Sequence, residues 1–238
     1  MSFLERDLEN VMNELWFFVH IVWVGSLAFY CRHKSAEVQT TLMVVYAILG
    51  NLMVLKQMSL FGLQVTTADV YAVGVILVLN YIRESYDDKA VHQAMVYSFA
   101  GLALLALAAY FQVSYEALPG DKMDAAYHQL MQPFPKIVMV SAVVYLVVQY
   151  VDNRLFSWMR TLAGDRYFMA RVLFSLIFSQ VLDTVLFSLY ALGDIAASLW
   201  DIIVFSSLVK ILCSGCMVFN TAISQRLSGL WQKISQAS

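Results

Sequence analysis

Along the chain, long apolar stretches alternate with short polar breaks. Seven stretches are apolar over enough residues to form helices across a hydrocarbon core of about 30 Å, which takes roughly 20 residues. They lie at Leu15–Cys31, Val38–Met58, Thr66–Ile82, His92–Tyr115, Lys136–Trp158, Arg171–Leu192 and Trp200–Ile223. None shows the period-two alternation of a barrel strand, so the pattern predicts an all-α, polytopic membrane helical bundle. The longest break, Glu116–Pro135, holds Leu118-Pro-Gly-Asp121 and Pro133-Phe-Pro135, which predict turns bounding a loop.

Composition strengthens this picture. Of 238 residues, 61% are apolar and 13% charged, and the mean hydropathy is +0.68. Soluble domains run at about 45–50% apolar and about 25% charged, and a water-exposed surface could not be built from this chain. Three cysteines exclude a disulfide-stapled scaffold. A net charge of −2 gives no reason to expect nucleic acid as a partner. The first stretch follows Glu5, Asp7, Glu9 and Glu14 rather than a basic start, so it is expected to be retained rather than cleaved as a signal peptide.

The basic residues orient the bundle. With seven spans, one side receives Arg6, Lys56, Lys122 and Lys136, and the other receives ten of the remaining Lys and Arg. The positive-inside rule then predicts an external amino terminus and a cytoplasmic carboxyl terminus. Lys210 belongs to neither side, because it falls inside the last span.

Polar residues at membrane depth are the informative ones, since a charge at a helix centre costs about 2.5–3.5 kcal/mol on insertion scales. Asp183 and Lys210 are mid-span in adjacent helices, which suggests a buried pair or a shared cavity. A structural ion pair between the two helices is the plainer alternative. Gln149-Tyr-Val-Asp152 followed by Leu155-Phe156 matches Gln180-Val-Leu-Asp183 followed by Leu186-Phe187, 31 residues later. A spacing of three places amide and carboxylate on one helical side, a donor and acceptor set suited to the edge of a nucleobase. An Asp–Gln clasp between the two helices is the alternative here. Asn51, with Lys56 and Gln57, makes one end of the second span polar, and Glu84 closes the third. Asp69, with Thr66 and Thr67, opens the third span, where an acid and hydroxyls suit a helix amino terminus. His20 reads as a satisfied membrane histidine, and Cys213-Ser-Gly-Cys216 as small residues at a helix contact rather than a metal or redox site. No catalytic constellation, metal set or phosphate-cradling loop is present in the sequence, so no enzyme activity and no cofactor are expected.

From Asn51 to about Leu227 the chain resembles the queuosine precursor transporter family, also called the vitamin uptake transporters. The resemblance rests on Leu60-Phe-Gly-Leu63, Asn80-Tyr-Ile-Arg-Glu84-Ser-Tyr86, Gln149 with Asp152 and Phe156, Ser179-Gln180 with Asp183, Thr184 and Phe187, and Lys210. The chain departs from the family pattern at Asn80, where the family has aspartate, at Asp87, where it has glycine, and at Asn220, where it has proline. The resemblance implies a six-helix transporter core over 38–227, an extra transmembrane helix in 1–37 and a cytoplasmic tail over 228–238. It implies a carrier in the bacterial inner membrane that imports a 7-deazaguanine base, queuine or a precursor, for salvage into tRNA. Asp183 and Gln180, then Asp152, Gln149 and Lys210, and then Glu84 and Asn51 are the expected substrate-binding residues. The aromatics Phe178, Phe187 and Tyr190 are candidates for stacking on the base. The alternative is a substrate-capturing membrane subunit of an ATP-driven vitamin or nucleobase importer. Association as a homodimer is compatible with either.

Overall fold

The computed structural model describes residues 3–163 and 168–212. The remainder of the seventh stretch, including Cys213, Cys216 and Asn220, lies outside the described residues, as do the tail and the side chain of Gln149. The elements are α1 (Phe3–Cys31), α2 (Ala36–Met53), β1 (Gln57–Leu60), β2 (Leu63–Thr66), α3 (Ala68–Ser85), α4 (Asp88–Ser114), α5 (Asp124–Met131), α6 (Phe134–Ala163) and α7 (Phe168–Ala191). A last helical segment, α8, covers 199–212.

Among the described residues, four helices are long and apolar enough to cross a membrane: those containing Val11–Cys31, Ala36–Met53, Asp88–Ser114 and the run that ends at Asp152. In α7 the apolar stretch is shorter, Ile177–Ala191. Their outer faces carry exposed Trp16, Trp23, Leu104, Phe111, Leu146 and Tyr150, the composition of a surface that meets lipid rather than water.

Two departures from the sequence expectation bear on the site. The second and third stretches do not run unbroken through 58 and from 66. Between them stands an antiparallel hairpin, with Gln57 opposite Thr66 and Leu60 opposite Leu63. Its two turn residues, Phe61 (φ 53°) and Gly62 (φ 78°), both lie in the left-handed region that a tight hairpin turn requires. Polar Gln57, Ser59 and Gln64 alternate with Met58, Leu60, Leu63 and Val65, so period two is present, over only four residues per strand. The second departure is α5, which occupies the middle of the expected loop. Pro135 does not bound that loop but sits in the first turn of α6, where its missing N–H has no helical partner to lose.

The main apolar core joins α1, α2, α3, the hairpin, α4 and α8 through Val24, Tyr46, Leu60, Ile82, Ala94 and Phe205. Tyr46 is buried and donates its hydroxyl to the carbonyl of Val24 at 2.8 Å, which ties α2 to α1. Gly74 of α3 lies directly beneath this contact: a Cβ there would stand 2.8 Å from both the Tyr46 ring and Val24 Cγ1. Absence of a side chain is what lets three helices converge. A second cluster, Val54, Ile137, Ala191, Leu192 and Ile202, binds the ends of α2, α6, α7 and α8 near the hairpin.

Candidate functional site

The hairpin closes one end of the bundle, and its polar groups are used for docking. Gln57 Nε2 donates to the carbonyl of Ile195 at 2.9 Å, and its Oε1 accepts from the amide of Ala197 at 2.6 Å. The amide of Gln64 donates to Asp201 Oδ2 at 3.0 Å. On the other flank, Asn13 Nδ2 donates to the carbonyl of Ser59 and the amide of Phe61 donates to Glu14 Oε1, both at 3.3 Å. Outside this, Lys136 and Asp194 form an exposed ion pair at 2.6 Å. That lysine holds the Asp194 carboxyl below the usual aspartate range, by hydrogen bonding first and charge second.

From the hairpin end inward, polar side chains of four helices meet in steps. Asp69, the second residue of α3, is buried and accepts from Ser206 Oγ at 2.6 Å. One turn along α8, Lys210 Nζ donates to Asp183 Oδ2 at 2.9 Å and to Thr184 Oγ1 at 3.0 Å, both on α7. Thr184 can accept because its own proton goes to the carbonyl of Gln180 at 2.9 Å. One turn back along α7, Ser179 Oγ donates to Asp152 Oδ1 of α6 at 2.6 Å. At 1.5 Å per residue, Asp183 lies about 12 Å and Lys210 about 16 Å along their helices from the hairpin end, near the middle of a bilayer.

The pairing of Asp183 with Lys210 is as the sequence suggests, and their burial is unequal. The lysine side chain is 11% exposed and the aspartate 37%. A carboxylate whose cation is buried behind it, and which keeps Oδ1 outside the pair, can receive donors from a ligand. The two Gln-x-x-Asp segments lie on neighbouring helices, α6 and α7, and are bridged through Ser179.

The other expected residues are placed differently. Asn51 is on α2 near the hairpin end: its Nδ2 bonds the carbonyl of Ala47 at 2.9 Å, while Oδ1 is buried with no partner among the described residues. Gln180 is half-buried beside Ser179. Glu84 is exposed at the far end of α3, away from the ion pair. Phe187 belongs to the second apolar cluster, and Phe178, about 140° around α7 from Asp183, is exposed beside Phe174. Tyr190 is exposed.

Asp69 stands in the first turn of α3, as expected of an acid at a helix amino terminus, with Thr67 as the N-cap. The unexpected feature is the partner of its carboxylate, Ser206, 137 residues away. The available signal was the spacing of Ser206 and Lys210, four apart in α8, which put a hydroxyl and an ammonium on one side of that helix.

Residues 66–223 match the family model described as "Putative vitamin uptake transporter". Over 153 residues the chain is 26% identical to a protein of Bacillus subtilis (strain 168) named "Probable queuosine precursor transporter", covering 63% of this chain and 67% of that one. No solved structure matches.

Proposed function

The chain belongs to the vitamin uptake transporter family, and from that premise we propose that it imports a 7-deazaguanine base, queuine or one of its precursors, for salvage into tRNA. Its Bacillus subtilis relative bears the name of a queuosine precursor transporter, which supports this substrate class. The observation that carries the reading is the Lys210–Asp183–Thr184 cluster at mid-depth. An ion pair of this kind costs free energy to bury, and replacing it by apolar residues is often neutral or stabilising. Its presence in a helix bundle points to use rather than support.

The chemistry suits a guanine-like edge, which offers two adjacent donors and one acceptor. Asp183 takes the donor pair and Gln180 serves the carbonyl. Asp152 and Gln149 give a second carboxylate–amide set for the cationic amine that queuine carries. Lys210 neutralises Asp183 while the site is empty. Asn51 contributes its buried Oδ1 near the hairpin end, and Glu84 lies at the opposite mouth.

In this reading α1–α4 and α6–α8 cross the bacterial inner membrane. The hairpin end and the amino terminus face outward, α2–α4 with α6–α8 form the transporter core, and the chain is a carrier rather than an enzyme.

The test is uptake of labelled queuine by salvage-deficient cells expressing the chain, beside Asp183→Asn and Asp152→Asn. Uptake by the unaltered chain and its loss in Asp183→Asn is the expected result. No uptake, or full uptake by both variants, refutes it. Transport by the purified chain alone in liposomes separates a self-sufficient carrier from the capturing subunit of an ATP-driven importer.

A further inference from the structure

Among the described residues, Asp69 and Asp183 stand at neighbouring steps of the polar interior beside the ammonium of Lys210, with Asp152 one step further. Asp183 has the ammonium; Asp69, more deeply buried, has a neutral hydroxyl, Ser206. Ser206 and Lys210 are one turn apart, with Cβ atoms about 5–6 Å from each other. Helical side chains lean toward the amino terminus of their helix, so the flexible stem of Lys210 leans toward the level of Ser206 and Asp69.

We infer that Lys210 is a two-position switch with Asp69 as its second anchor: when the donors of a substrate occupy Asp183, the ammonium swings to Asp69, and its charge stays paired. The inference rests on Asp183 being the substrate anchor, as proposed above. Asp69 is then a positioning residue. It does not touch the substrate, and it lowers the cost of releasing Lys210.

The first test needs no substrate. Melting temperatures of the purified full-length chain in detergent are compared for Asp69→Asn, Asp183→Asn, the double variant, and the double variant carrying Lys210→Met. Each single variant leaves the ammonium one carboxylate, so its loss is small. The double variant strands a buried cation and should fall beyond the sum of the singles by more than about 6 °C. Adding Lys210→Met should recover most of that loss. If the double variant does not fold, folding of the triple variant counts as the same result. Additive losses, or a triple variant no better than the double, overturn the inference.

The second test is the concentration dependence of queuine uptake. Asp69→Asn should raise KM on the order of tenfold with Lys210 present and leave it unchanged in a Lys210→Met background, whereas a merely structural aspartate would have the same effect in both. Absence of uptake in the unaltered chain refutes the substrate reading, and the melting series still decides whether Asp69 is a second anchor for Lys210.

Discussion

Gln57→Ala probes how the closed end of the bundle is held. Through one side chain, Gln57 satisfies a carbonyl and an amide of the segment joining α7 to α8, at 2.9 and 2.6 Å. No apolar side chain can replace both. Each such bond contributes about 0.5–1.5 kcal/mol net, so the pair holds the hairpin down by about 2 kcal/mol. Its loss raises the undocked population roughly 30-fold, since 1.4 kcal/mol is a factor of ten. Backbone hydrogen exchange followed by mass spectrometry reads this directly, with the Gln64 and Ala197 amides as reporters. Both should exchange faster by about that factor in Gln57→Ala, while amides in the middle of α4 should not change. Gln64→Ala is the control: Asp201 is held by the Gln64 backbone, so truncating that side chain should leave exchange as it was. Equal exchange in Gln57→Ala and the unaltered chain would refute the docking argument.

Further outcomes follow from single contacts. Gly74→Ala inserts a methyl 2.8 Å from two buried groups and should cost about 1–3 kcal/mol, seen as a lower Tm that Val24→Ala in the same chain partly restores. Asn51→Leu removes a buried oxygen that has no partner among the described residues, so it should raise the KM for queuine with little change in Tm. Lys136→Met should move the titration of Asp194, followed by carboxyl NMR, up toward the ordinary aspartate range. The sign follows from a carboxyl held low in the folded chain: the pair's contribution is present above the ordinary aspartate range and is lost as pH falls through the lowered value. Both side chains are exposed, so the effect on stability should be small and weaken with salt.

The pairing of Asp183 with Lys210 was legible in the sequence. Asp183 and Lys210 stood out because lipid makes an isolated charge expensive, and the structure joins them at 2.9 Å. Asp69 was legible only as an acid at a helix start. Which group its carboxylate faces depends on how α8 packs against α3, and local sequence carries no such information. The hairpin was hidden for a different reason. Two four-residue strands are too short for their alternation to stand out between long apolar helices, and Phe61 adopts a positive φ that few non-glycine residues choose.

By itself, then, the sequence determined the medium the protein lives in, the approximate helices and the short list of costly polar residues. Each of these is a sum or a period along the chain, set by transfer of side chains from water to lipid. Tertiary structure alone decided which polar groups meet: Asp69 with Ser206, Ser179 with Asp152, and Gln57 with the segment after α7. Those pairings lie 27 to 140 residues apart in sequence. A hydrogen bond forms only where two groups come within about 3 Å, and helix packing, anchored at points such as Gly74, sets that distance.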